Sequence, residues 1–196
     1  LVRRLLDLGV KKVIVIDSFE YGSEENLPAD SRIVLIKHNI GTDSIVSLEQ
    51  LIRKCAYIFH LAAQKHNQSL ATPYAIYQTN IIGTADIFEL AGKCGVKKII
   101  FSSSLYSYGQ ITLPPMREDD CVNPHTIYGI SKVAGEQLLA YYANKHKYDY
   151  AVLRLFFVYG PRQFPGMGYK SVIVKNFAYK IIVIAMHGFI LQINNL

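Results

Sequence analysis

The sequence predicts an α/β fold, a doubly wound parallel sheet with helices on both faces, and three observations predict it. One local pattern occurs twice, as Gly9-Val10-Lys11-Lys12-Val13-Ile14-Val15-Ile16-Asp17 and as Gly95-Val96-Lys97-Lys98-Ile99-Ile100-Phe101-Ser102. Each copy is a helix-capping glycine, a short polar joint and then an apolar run, the way a helix returns to a buried parallel strand. Apolar runs of strand length alternate with helix-length segments along the whole chain, which is the signature of βαβ units. Before about residue 160 no stretch rich in Pro, Gly or Ser divides the chain, so the alternation belongs to one domain.

Taken in order, residues 1–9 read as the last turns of an amphipathic helix closed by Gly9, with no apolar core of a signal peptide. Strands follow at 13–17, 32–36, 57–60, 98–102 and 151–155, and helices at 47–53, 73–93 and 127–146. A helix beginning near Tyr169 and the apolar run Ile181-Ile182-Val183-Ile184-Ala185-Met186 complete the chain. That run is shorter than the roughly 20 residues of a membrane span and reads as a buried strand or a non-native tail, so no membrane partner is expected.

The 196 residues are 51% hydrophobic and 18% charged, which excludes a disordered chain. The net charge of +6 is spread over loops and helix ends instead of forming one run, so nucleotide phosphates, not nucleic acids, are the expected anions. Cys55, Cys94 and Cys121 are far apart and odd in number, which argues against a disulfide framework or a zinc site and fits a reducing cytoplasm.

The chemistry-bearing segment is Tyr128-Gly129-Ile130-Ser131-Lys132. A tyrosine and a lysine four residues apart lie on one helix face, so the ammonium can stand beside the phenol. Free tyrosine ionises about three units too high to accept a proton at neutral pH, and a neighbouring positive charge is the simplest remedy. Lys132 is placed to supply it. Ser104, at the end of the strand run, can hydrogen-bond a substrate hydroxyl or carbonyl and hold it against the Tyr128 oxygen. A tyrosine and lysine at this spacing also arise by chance on amphipathic helices, and context decides between the readings.

That context is His60-Leu61-Ala62-Ala63, Ser102-Ser103-Ser104-Leu105-Tyr106-Ser107-Tyr108-Gly109 and Leu153-Arg154-Leu155-Phe156-Phe157-Val158-Tyr159-Gly160-Pro161-Arg162, each after an apolar strand. In this order the motifs resemble the NAD-dependent epimerase/dehydratase family, the extended short-chain dehydrogenases typified by UDP-glucose 4-epimerase, over residues 1–178. The resemblance implies a Rossmann-like NAD-binding domain over 1–178, with 179–196 as a divergent apolar tail. It implies Ser104, Tyr128 and Lys132 as the catalytic set, Tyr128 taking the proton of a sugar hydroxyl as hydride passes to NAD. It also implies a nucleotide-sugar substrate, a UDP-hexose, and a homodimeric parent. A 4,6-dehydratase needs an acid pair directly after the serine, and Leu105-Tyr106 stands there instead.

Asp17 ends its strand where such folds place an acid against the adenosine ribose, which favours NAD over NADP; it equally reads as a strand-end cap of the turn before Ser18. Asn39 and Ile40 stand where the family carries a pair contacting adenine, and Leu61, Ala62 and Ala63 are small enough for close approach of a pyrophosphate or ribose. Lys65 matches a phosphate- or ribose-contacting lysine, or is a plain surface residue. Asn80 matches a groove-lining position, or is a helix residue bonded to backbone. Ser102, Tyr128 and Lys132 complete the implied cofactor contacts, and no metal is implied. Phe157, where epimerases carry Asn or Thr, and Arg162 are the candidate substrate contacts, Arg162 equally a loop terminator. The family's opening strand and Gly-rich turn are not in the sequence, nor is most of the substrate domain. The chain therefore reads as a fragment, inactive by itself, with weak NAD binding and unpaired strand edges expected. The alternatives to an epimerase are another NAD-dependent sugar oxidoreductase or reductase of the family and an inactive fragment serving only as a binding module.

Overall fold

The computed structural model describes residues 1–110, 115–156 and Val158. Helix α1 (Val2–Asp7) ends in Gly9 at φ +82°, a left-handed conformation that glycine adopts freely, and the chain turns into β1 (Val13–Asp17). Strand β2 (Ile33–Lys37) pairs with β1 in parallel, Val13 opposite Ile33 and Asp17 opposite Lys37. Where one helix is predicted at 47–53, a 3₁₀ turn (Ile45–Leu48) leads into the short α2 (Glu49–Ile52). Next come β3 (Tyr57–His60), α3 (His66–Ser69) and α4 (Pro73–Ile76).

The helix predicted over 73–93 is interrupted. Residues Tyr77–Gly83 form a π-helical stretch between α4 and α5 (Thr84–Lys93). There the backbone of the turn after β2 presses on the helix: a Cβ on Gly83 would lie 2.4 Å from the Ile40 carbonyl oxygen, and one on Gly41 2.6 Å from the Thr79 hydroxyl. Strand β4 (Lys98–Ser104) leads through a 3₁₀ turn (Leu105–Ser107) toward α6 (Ile127–His146), which Thr126 caps by accepting from the Gly129 amide at 3.0 Å. Strand β5 (Asp149–Leu155) closes the described part.

All strand pairs are parallel, in two sheets, β1-β2 and β3-β4-β5. Among the described residues β1, β2, β3 and β5 each pair on one side only. Side chains link their carboxyl ends: Tyr21 donates to the Gln64 carbonyl oxygen at 3.2 Å, and the Gln64 amide donates to Glu20 at 2.7 Å. Helices α5 and α6 cover the side of the second sheet that carries Ile99, Phe101 and Ser103. Phe88, Ile99, Phe101 and Leu139 are fully buried there, each contributing roughly 1.5–3 kcal/mol. Helix α6 lies close to the sheet because residue 135 is glycine; a Cβ there would stand 2.6 Å from the Phe101 ring. No helix among the described residues is long and apolar enough to cross a membrane. Phe157, Arg162, the boundary at 178/179 and the tail 179–196 lie outside the described residues.

Candidate active site

Strand β4 ends in three serines, and helix α6 brings its first two turns against them. The Ser102 carbonyl accepts a 2.8 Å hydrogen bond from Lys132 Nζ, and the Ser102 hydroxyl donates to the His60 carbonyl at 3.2 Å. Ser104 accepts from the Tyr106 amide at 3.3 Å and shares a side-chain hydrogen bond with Tyr128. The structure thus brings together Ser104, Tyr128 and Lys132, 28 residues apart at the extremes, at the carboxyl edge of a parallel sheet.

The electrostatics differ from the sequence expectation in one respect. Lys132 stands 5.7 Å from the centre of the Tyr128 ring and is held by the Ser102 carbonyl. Burial pushes the Tyr128 phenol above its usual 10, the Ser104 hydrogen bond draws it back down in part, and Tyr106 adds to the rise. Lys132 is not among the groups that move it, so the tyrosine is a phenol in this state. Lys132 itself, 3% exposed, is lowered to about 8 by burial. An ammonium so buried, with three donors and one hydrogen bond, is poised for a polar ligand.

The other predicted residues take diverse places. Leu61, Ala63, Lys65 and Ser102 line a cavity of about 290 Å³ together with Tyr128 and Lys132, and Ala62 is exposed beside them. The Lys65 ammonium lies 4.5 Å over the Tyr21 ring. Asp17 is exposed at the end of β1, one carboxylate oxygen accepting from the Phe19 amide at 2.8 Å. Asn39 spends its side-chain oxygen on the Gly41 amide at 3.0 Å. Ile40 is 8% exposed and sits in the core under Gly83. Asn80, 2% exposed, takes the second of its two readings: it clasps the Gln64 backbone at 2.7 and 3.1 Å and donates to Ser131 at 3.1 Å, because its helix is buried on that side.

Other features escaped the sequence reading. His66 stacks on Tyr106 at 4.4 Å, and both rings stand beside Tyr128. His60 is wedged between Phe88 and Phe101, bonds Thr84 at 2.9 Å and is lowered to about 3 by burial and then by Lys132, so it stays neutral. Glu136, one turn beyond Lys132, pairs with Arg154; the four-residue recurrence of 128, 132 and 136 was the available signal. No cluster of His, Cys, Asp or Glu among the described residues is arranged to hold a metal ion.

The residues present fit the nicotinamide-ribose end of a dinucleotide. The cavity is at the small end of ligand pockets, about 300–1,000 Å³, so it takes one ring-sized group. Lys132 offers unused donors to a ribose diol, and the second oxygen of Asp17 remains to accept from another.

Comparisons with known proteins agree with this geometry. The UDP-glucose 4-epimerase of Mycolicibacterium smegmatis is 36% identical over 170 residues, 84% of this chain and 54% of that protein. The crystal structure of Thermotoga maritima UDP-glucose 4-epimerase with UDP-glucose superposes with a TM-score of 0.80 at 35% identity, over 89% of this chain and 56% of that one. The UDP-N-acetylglucosamine 4-epimerase of Methanobrevibacter ruminantium gives 0.82 at 32%, over 90% and 56%. Thermus thermophilus UDP-glucose 4-epimerase, solved with NAD, gives 0.76 at 28% identity, over 84% and 53%. The chain spans about half the length of the curated relatives it matches. Residues 1–181 match the profile of one family, and the chain belongs to it: the NAD dependent epimerase/dehydratase family.

Proposed function

We propose that this chain carries the NAD-binding and acid/base part of a nucleotide-sugar 4-epimerase acting on a UDP-hexose. The observation that carries the reading is the convergence of Ser104, Tyr128 and buried Lys132 on one cavity at the sheet edge. NAD, when bound, accepts hydride from the sugar and returns it. The chain's residues do the rest. Ser104 holds the reacting hydroxyl, and Tyr128, as its phenolate, takes the hydroxyl proton and later gives it back. Lys132 holds the ribose diol, and its charge, drawn closer by that contact, lowers the phenol.

Epimerisation is favoured over 4,6-dehydration because no Asp or Glu among the described residues lines the cavity, and elimination of water needs a carboxyl group beside the sugar. A homodimer is the expected assembly: Tyr74, Tyr77 and Ile82 along α4 to α5 and Ile130 and Tyr141 on α6 leave an apolar stripe exposed, for which a second copy is the simplest cover. The cytoplasm is the expected compartment, where three free thiols persist.

The test is turnover of UDP-galactose and UDP-glucose with NAD, followed through their anomeric proton resonances. It is run on this chain and on this chain completed with the remaining segments of the Thermotoga maritima relative. Tyr128→Phe should lower turnover by about 10²–10⁴-fold. No conversion by either form, or conversion indifferent to Tyr128, refutes the proposal. Sedimentation as a monomer at every concentration refutes the dimer.

A further inference from the structure

Positions 128, 132 and 136 recur once per turn of α6, and each meets one of the three serines that end β4. Tyr128 shares a hydrogen bond with Ser104, Lys132 holds the Ser102 carbonyl, and Glu136 accepts from the Ser103 hydroxyl. Two of these rungs belong to the proposed acid/base site. In the third, Ser103 borders the cavity and Glu136 does not, yet this rung is the most heavily tied. Arg154 of β5 grips the Glu136 carboxylate with both faces of its fork, Nε at 3.0 Å from Oε1 and Nη2 at 2.8 Å from Oε2. Both side chains are largely buried, at 19% and 13% exposure. Arg154 also donates to the Glu118 carbonyl at 3.0 Å and lies 4.9 Å over the Tyr108 ring. Ser107, 3.0 Å from the Ser103 hydroxyl, draws the turn that carries Tyr106 into the same network.

We propose that the Glu136–Arg154 pair is the positioning device of this site, fixing the height and register of α6 over the end of β4 and so the approach of Tyr128 to Ser104 and of Lys132 to Ser102. The inference rests on the reading of Ser104, Tyr128 and Lys132 as an acid/base set. Gly135, the neighbouring residue, sets the limit of inward motion, because its backbone already rests near the Phe101 ring. The Glu136 tie sets the limit of outward and lengthwise motion. A bidentate, charge-assisted pair is directional as well as attractive, so it resists sliding as a neutral contact does not. Glu136 therefore touches no substrate; it acts through the serines.

The pH dependence of Lys132 acylation, read by mass spectrometry on the full chain, tests this without turnover. The groups around Lys132 are Tyr128 on its own helix, Phe101 on β4 and His60 on β3, which stays neutral. In the wild type the half-point is expected at about 8, where burial lowers the ammonium. In Glu136→Gln the helix end loosens, water reaches the ammonium, and the half-point should rise by about one pH unit. Arg154→Lys keeps the charge without the fork and should move it part of the way. Ser103→Ala, a smaller change, serves if the first variant does not fold. In a form that turns over, kcat should fall about tenfold with KM nearly unchanged. An unchanged half-point in every folded variant overturns the positioning role while leaving the acid/base reading intact. A wild-type half-point at the ordinary lysine value instead overturns that reading, and the inference with it.

Discussion

Replacing Lys132 by Met is the sharpest test of the site that needs no substrate. The lysine is 3% exposed, and its ammonium has one hydrogen bond, to the Ser102 carbonyl. The difference between its ordinary value of 10.5 and about 8 in this site corresponds to about 3 kcal/mol carried by the folded state. Below pH 8 the lysine is protonated whether folded or unfolded, and the whole cost is present. Between 8 and 10.5 the unfolded chain binds the extra proton, so stability rises with pH; above 10.5 the cost is gone. Methionine has similar volume and no charge. At pH 7 the variant gains about 3 kcal/mol from removing the buried charge and loses about 1.5–3 kcal/mol with the hydrogen bond, a net change from near zero to a modest stabilisation. The decisive quantity is the change with pH: the margin of the Lys132→Met variant over wild type should shrink by about 2 kcal/mol between pH 7 and pH 9.5. Urea denaturation of both proteins at the two pH values measures it, and titrations common to both cancel. Two stability curves that run parallel would refute the picture of a desolvated ammonium.

Three further outcomes follow from the geometry. Gly129→Ala places a Cβ 2.4 Å from the Tyr106 carbonyl oxygen. Overpacking of about 1–3 kcal/mol outweighs the roughly 1 kcal/mol gained in helix propensity, and turnover in the completed form should fall about 10²-fold; a melting temperature above wild type would contradict the close approach. Glu89, lowered to about 2 by hydrogen bonds from His146, Lys145 and Lys93, contributes stability that is fully present above its usual 4.5 and lost as pH falls toward 2. Glu89→Gln should therefore cost about 1 kcal/mol at pH 7 and little at pH 2, as acid titration of the two proteins will show. Asp17→Gly should narrow the preference for NAD over NADP in calorimetric titration by removing repulsion of the 2′-phosphate; an unchanged ratio returns Asp17 to a turn cap.

What the sequence made legible was local. The twin glycine-to-strand joints before Val13 and Lys98 can be read from composition alone, because capping and β-branching act within a few residues. The convergence of Ser104, Tyr128 and Lys132 was legible because helix spacing and a strand end, read together with the motifs around them, place the three at one sheet edge. The π-helical stretch at Tyr77–Gly83 was not, since it sits where a distant turn presses on the helix and no local propensity encodes that. For the same reason the two readings of Asn80, and the depth of Ile40, could not be resolved locally: only packing shows that Gly83 closes over Ile40 and that the Gln64 backbone occupies Asn80. The hold of Lys132 on a backbone carbonyl, in place of the phenol, also lies beyond sequence, because a carbonyl has no letter.

The division of the strands between two sheets bears on how cooperatively the chain unfolds. No ladder joins β1-β2 to β3-β4-β5 among the described residues; the two sheets are coupled instead by side chains such as Ile16 and Ile36, by the packing of Ile40 against Gly83 and by the links from Glu20 and Tyr21 to Gln64. Such a seam is where sub-global opening begins, since an opening there breaks no backbone hydrogen bond between strands. The β1-β2 amides should therefore exchange with solvent through a lower-energy opening than those shared by β4 and β5, making this a chain with two melting units in one body. A ligand reaching from Asp17 to Lys132 would span that seam, and its binding energy would appear first as cooperativity.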